Sequence, residues 1–328
     1  MTPFSTLVAL LATLAHAADY YNPIRNDSAD PFMVYDQGNW YLLSTGGDVG
    51  ITSAPTVAQL ANAERVPVFS STNTSYDVDY WPPEVHNFDG TWYIFTTAAS
   101  STAQDRDASR RIHVLKGGST PAGPYTYAAQ LGANVAGDQW AIDPTVLFDG
   151  GNHYLVWSCH DEAAYNAQSI CIGQLNGPTE LLNRVVISTP TNGWEQNGFP
   201  VNEGPSAVYY NGRTFLSFSA SYCGTAQYSL GILAYNGNGI LNPSSWNKTG
   251  PLFTSANGDY GPGHNGFVLN PGTTQDWWQV YHATPKSSGG CDNSRNTFFQ
   301  KVNFDSNNFP VFGQPEAVGG PYAGPPGE

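Results

Sequence analysis

The sequence predicts an all-β fold, specifically a five-bladed β-propeller, and three observations carry that expectation. Five times a polar, usually acidic residue introduces a short apolar strand, a turn with Gly or Asn, and an aromatic-rich strand. The introducing residues are Asp30, Glu84, Asp143, Glu203 and His264, so by subtraction the units recur at intervals of 54, 59, 60 and 61 residues. The composition also suits many short strands joined by tight turns: 12% of the 328 residues are charged, 13% are aromatic, and there are 35 Gly and 24 Pro. A hairpin cannot bury its apolar face alone, so repeated sheets must pack on one another. Arrayed radially they form a propeller, whose first strands line a central channel.

Each unit has its own hairpin. The first is DPFMVYDQGNWYLLST from Asp30, and the second is EVHNFDGTWYIFTTA from Glu84, turning at Asp89-Gly90. The third, DPTVLFDGGNHYLVWS from Asp143, turns at Asp149-Gly150-Gly151-Asn152. EGPSAVYYNGRTFLSFS from Glu203 turns at Asn211-Gly212, and HNGFVLNPGTTQDWWQVYHA from His264 completes the set. Asp-Gly and Asn-Gly between alternating apolar runs are strong hairpin signals, because both turn residues must take positive φ. Between the first two units, Thr56 to Glu64 reads as one or two turns of helix. Gly313 to Glu328, rich in Gly and Pro, reads as an irregular tail or a fraying end.

No linker or low-complexity tract divides the chain, which predicts one catalytic-size domain over residues 18–328. Ahead of it, an apolar stretch from Leu7 to Leu14 leads to Ala15-His16-Ala17, the pattern of a secretory signal over residues 1–17. No later apolar run approaches the roughly 20 residues that span a bilayer. The net charge of −14, with no Lys/Arg cluster, argues against nucleic acid or an anionic membrane as partner. A neutral polysaccharide is compatible with that charge, and a monomer is expected. Three N-x-S/T sequons, at Asn26, Asn73 and Asn247, fit a secreted, extracellular glycoprotein, with Asn26 the least favoured because it lies near Asp30. Four cysteines in such a chain suggest disulfides and allow three pairings; Cys159–Cys171 within a blade and Cys223–Cys291 between neighbouring blades is the favoured one.

In a propeller the five introducing residues converge on one axial site. Carboxyls gathered there suit glycosidic bond cleavage, in which a carboxylic acid protonates the departing oxygen and a carboxylate activates water on the opposite face. A third carboxyl beside the acid raises its pKa by like-charge repulsion.

The segments NPIRNDSADPF, YWPPEVH, WAIDPTVLFDGG, VNEGPSAVYYNGRTFLSFSAS and GPGHNGF, running in order from about Asn22 to Pro315, resemble glycoside hydrolase family 43. Within that family the resemblance is to its fungal and bacterial α-L-arabinofuranosidases. It implies a five-bladed propeller and an inverting enzyme acting on an arabinose-containing polysaccharide or oligosaccharide of plant cell walls. By motif, Asp30 would be the general base, Glu203 the general acid, and Asp143 the residue that tunes and orients the acid. Trp81 and Glu84 would line the sugar pocket, although Trp81-Pro82-Pro83-Glu84 carries Pro where the family commonly has Ala. Arg295 would bind a sugar hydroxyl beside the acid. His264 would sit near an axial cation, calcium or sodium, with a structural role; the chemistry itself needs no cofactor. His160 and His282 end strands near the pocket but receive no role, and Trp157, Trp277 and Trp278 are expected in blade packing.

Two further activities of the same family stay open, endo-arabinanase and β-xylosidase. The loops Ser100–Arg111 and Thr284–Ser294 are long enough to wall a pocket, which favours exo action. A non-catalytic sugar-binding propeller is the rival of another class. It is disfavoured because the introducing residues differ from blade to blade instead of repeating one pocket.

Overall fold

The computed structural model describes residues 18–137, 139–161 and 164–328; the expected signal segment lies outside them. The architecture is a five-bladed β-propeller. The first blade comprises the strands Phe32–Asp36, Asn39–Leu43, Val49–Ala54 and Arg65–Phe69, and the second Val78–Phe88, Thr91–Ala99, Arg111–Lys116 and Thr126–Gln130. The third runs Ala141–Asp149, Asn152–Asp161, Ala164–Gln174 and Val185–Ser188, and the fourth Asn202–Tyr210, Arg213–Ala220, Ser229–Tyr235 and Trp246–Phe253. The fifth has three strands, Tyr260–Leu269, Trp277–Thr284 and Asn296–Lys301. Every blade is an antiparallel meander, and the innermost strands touch their neighbours in cyclic order around the axis.

The hairpin turns form where Asp-Gly and Asn-Gly predict them. Asp89 and Gly90 have φ of 50° and 85°, and Asn211 and Gly212 have 47° and 75°. Two successive positive φ values match the right-handed twist of the strands they join. The expected helix is one turn, Val57–Leu60.

Packing explains the size of the blades. Five apolar clusters among the described residues each bridge two adjacent blades; Leu43 and Ile51 of the first, for example, meet Val85 and Ile94 of the second. Trp157, Trp277 and Trp278 lie buried in these clusters, as expected. Cys159–Cys171 and Cys223–Cys291 are both bonded, the first across one blade and the second between loops of the fourth and fifth.

The two ends of the domain close the ring, and of the two expectations for the tail, packed irregularly or fraying, the packed one holds, with a strand added over Gly319–Ala323. Asp19–Asn22 pairs with Gly319–Ala323, and the Glu328 side chain accepts bonds from Trp40 Nε1 at 2.9 Å and the Val57 amide at 3.0 Å. That amide opens the short helix and has no partner within it, so the carboxylate caps it. The Asn22 side chain donates to the carbonyl of Phe299 and accepts from its amide, both at 2.9 Å. Residue 25 bridges to Thr297. The N-terminal segment thus takes the edge where the fifth blade lacks a fourth strand.

Candidate active site

The rim of the channel is shaped by bulges in the inner strands. Register slips at Trp81/Glu84, Ile142/Thr145, Glu203/Ser206 and Gly263/Gly266. Bulges re-aim side chains and end regular pairing. Asp30, Asp143, Gly204 and His264 take positive φ at this level, 54°, 56°, 53° and 48°. Such a backbone is unusual for residues with side chains and is held by the surrounding structure.

This corrects the simple equivalence of the five introducing residues. Six positions before the last hairpin pair (Asp36, Phe88, Asp149, Tyr210) stand Asp30, Pro82, Asp143 and Gly204. Glu203 lies one residue before the shared place and Glu84 two beyond it. The glycine has a reason: beyond its positive φ, a Cβ there would stand 2.9 Å from His264 Nδ1. Gly204 therefore makes room for the imidazole.

A cavity of about 790 Å³ opens at this rim, lined by Asp30, Asp143, Glu203, His264, Trp81 and Arg295 among others. Arg110 and Cys291 also line it, so both long loops form walls, as expected. Glu84 does not line it. It is buried and paired with His86 Nε2 at 2.9 Å, so its expected place on the sugar pocket is corrected.

Asp30 is the most heavily partnered carboxylate. Its Oδ1 accepts from Arg295 Nη1 at 2.7 Å and lies 3.1 Å from His282 Nδ1 and 3.4 Å from His264 Nδ1. Its Oδ2 accepts from Thr45 Oγ1 at 2.8 Å. Burial acts to raise its pKa, but Arg295, His264 and His282 together outweigh it and hold the carboxyl well below the usual range. Arg295, which the resemblance placed beside the acid, thus meets the carboxylate of Asp30 directly.

Glu203 and Asp143 are pushed the other way. Glu203 accepts from Tyr228 Oη at 2.9 Å; burial raises it, with Asp30 adding to the effect, to about 7. Asp143 accepts the Gly204 amide at 3.0 Å, and burial followed by Glu203 and Asp30 raises it well above the usual range. Tightly coupled acids titrate as a pair, and this pair retains protons to higher pH than isolated carboxyls do.

His264 is buried, with Nδ1 also 3.9 Å from Asp143 Oδ2; burial lowers its pKa to about 4. Among the described residues no three His, Cys, Asp or Glu side chains form a metal-binding group. Calcium takes six to eight oxygen ligands, so a calcium or sodium ion beside His264 would draw most of its ligands from water.

Three residues of the site had weak sequence signals. His282 pairs in register with Gly263, so extending the GPGHNGF hairpin would have aimed it here. Tyr228, stacked on His282 with ring centroids 5.6 Å apart, lies on an irregular loop with no motif. Arg110 covers the Trp81 ring at 3.6 Å and is held by Asp79 at 3.2 Å and Asp107 at 2.9 Å.

A five-bladed propeller that buries three carboxyls on one axial cavity, one held below the usual carboxylate range and two above it, has the architecture of a glycoside hydrolase. Residues 20–310 match the profile of Glycosyl hydrolases family 43, and the chain belongs to that family. It is 30% identical to an extracellular exo-α-(1→5)-L-arabinofuranosidase of Streptomyces avermitilis, over 96% of this chain and 70% of the relative. A protein of the same name from Streptomyces chartreusis is also 30% identical, over 82% of this chain and 85% of its own. The crystal structure of an α-L-arabinofuranosidase from Lactobacillus brevis superposes with a TM-score of 0.82 at 28% identity, covering 91% of this chain and 98% of that one.

Proposed function

We propose that the protein is a secreted, inverting, exo-acting α-L-arabinofuranosidase that releases terminal arabinose from arabinan or arabinoxylan. The observation that carries this is the split in protonation across one cavity: Asp30 is held ionised while Glu203 keeps its proton to about 7. In the proposed step a water attacks the anomeric carbon as the bond to the leaving oxygen breaks. Glu203 gives its proton to that oxygen, and Asp30 takes one from the water. The enzyme ends with Asp30 protonated and Glu203 ionised, and a proton exchanged through solvent restores the start. Asp143, bonded to the amide after Glu203, positions the acid and is itself kept protonated by burial and by Glu203.

Exo action is supported by the loop walls and by the names of the relatives; extracellular location is supported by those names and by the two disulfides. The family's endo-arabinanase and β-xylosidase activities are the alternatives. Assay of 4-nitrophenyl α-L-arabinofuranoside beside the β-D-xyloside, then linear arabinan and arabinoxylan, tests the reading. Turnover of the arabinoside with arabinose as sole early product from arabinan is expected. Preference for the xyloside, or early release of oligosaccharides, would overturn it.

A further inference from the structure

The two carboxyl oxygens of Glu203 are not equivalent. Its Oε1 accepts from Tyr228 Oη at 2.9 Å, and this is the carboxyl's one side-chain hydrogen bond among the described residues. Glu203 lines the cavity, so its second oxygen is left to the cavity's occupant.

The phenol is firmly held. Tyr228 is 1% exposed, and its ring stacks on His282 with centroids 5.6 Å apart and planes at 8°. Gly263 gives the ring its room, since a Cβ there would collide with it and stand 3.0 Å from Ser219 Oγ. Ser219, paired in register with Glu203, is fixed in turn, its Oγ accepting the His264 amide at 2.7 Å. The Tyr228 amide donates to the Thr225 carbonyl at 3.2 Å, and Cys223 bonds the same loop to Cys291. Burial keeps the phenol protonated well beyond its usual range, so it retains its donor wherever the acid works.

That donor decides where the acid carries its own proton. A carboxylic acid has one carbonyl oxygen, which accepts, and one hydroxyl. With Oε1 accepting from the phenol, the proton rides on Oε2. When the O–H bond at Oε2 breaks, the leaving oxygen gains the proton and Oε1 shares the charge left on the carboxylate. A hydrogen bond to an ionised acceptor is roughly twice as strong as one to a neutral acceptor, so this contact tightens as the proton departs.

We propose that Tyr228 is the positioning residue of the acid: it holds Glu203 Oε1, presents the proton on Oε2 to the leaving oxygen, and steadies the carboxylate that remains. This role rests on the proposed function.

Tyr228→Phe keeps the ring and its stacking on His282 and deletes only the hydroxyl. Asp30, Asp143 and Arg295 also face Glu203, with His264 and His282 beside Asp30, and the substitution leaves all five in place. On α-1,5-linked arabinotriose, whose leaving sugar needs a proton, kcat should fall at least tenfold while KM stays within threefold. Turnover of α-L-arabinofuranosyl fluoride, whose leaving group needs none, should stay within threefold and so report an intact fold. The basic limb of the arabinotriose profile should move up from near 7, because the ionised acid has lost a donor that favours it. A smaller loss of kcat, equal losses on both substrates, or a basic limb that does not rise would overturn the role of the hydroxyl and leave the proposed function standing. A parent protein inactive on both substrates would overturn the proposed function, and the positioning role with it.

Discussion

Arg295 Nη1 donates to Asp30 Oδ1 across 2.7 Å, joining the two ends of the propeller sequence at its chemical centre. The contact links a fifth-blade loop to the start of the first blade, so ring closure and the charge state of Asp30 are one structural fact. Both groups are nearly withdrawn from water, with side-chain exposures of 11% each, so screening is weak and the guanidinium acts strongly on the carboxylate.

Arg295→Met should therefore move the acidic limb of the pH–rate profile upward. Asp30 sits well below the usual range because its cationic and imidazole neighbours outweigh burial. Removing the largest of those neighbours leaves burial less opposed, so the pKa rises and the ionised base is lost at higher pH. The profile of kcat/KM on arabinofuranosyl fluoride measures this. An unmoved acidic limb would show that Arg295 does not set the charge of Asp30.

Glu203→Ala should cost most where the leaving group most needs a proton. Arabino-oligosaccharides should lose activity by at least about 10²-fold, the lower range for general acid catalysis, while the fluoride loses far less. Asp30→Ala should abolish turnover of both. Proton NMR of the first product should show β-arabinofuranose; an α-anomer would defeat the inverting assignment.

Much of this site was legible because propeller repeats give each inner strand a regular place. Asp30-Pro31, Asp143-Pro144 and Glu203-Gly204-Pro205 announced three carboxyls that the structure does gather. Counting back from the hairpin pairs shows that Gly204, not Glu203, matches Asp143. The bulges were not legible, and with them the turn of Glu84 away from the cavity toward His86. Nor were Tyr228 and Thr45, which arrive from loops and strand ends by tertiary packing. The strand in the tail was hidden for a related reason: Gly and Pro suggest irregular structure locally, while the partner of residues 319–323 lies near the other end of the chain.

Dialysis against EDTA should leave fluoride turnover within about twofold. The proposed proton transfers use only Asp30, Glu203 and water, and the side chains around His264 do not make a calcium shell. His264→Ala should lower activity or stability without changing which sugar is chosen. Elemental analysis showing one calcium per chain, lost together with activity, would sink this expectation.

Asp259 should make the fold less stable as pH rises. It is 1% exposed, neither carboxyl oxygen has a partner among the described residues, and burial pushes it up to about 7. An unfolded chain releases this proton near 4, so between about 4 and 7 the folded state holds more protons and stability falls with rising pH. Above that window the loss is constant. Asp259→Asn should then raise Tm at pH 8, by an effect of roughly 1–4 kcal/mol, and the gain should vanish near pH 4. A gain independent of pH would rule out titration of Asp259 as its source.

Asp143→Asn tests the coupling at the heart of the site. Glu203 and Asp143 both hold protons beyond the usual range; Glu203 raises Asp143, whereas the rise at Glu203 comes from burial and Asp30. Asp143 keeps its proton while Glu203 loses its own, so a neutral amide of the same size removes no charge where Glu203 titrates. The basic limb should then stay near 7, and the acidic limb should stay as well, because Asp143 is protonated where Asp30 titrates. The fall in kcat should be larger for oligosaccharides than for arabinofuranosyl fluoride, because only the former depend on the acid that Asp143 positions through the Gly204 amide. A basic limb that moves down would mean that Asp143 is ionised beside Glu203 and tunes it.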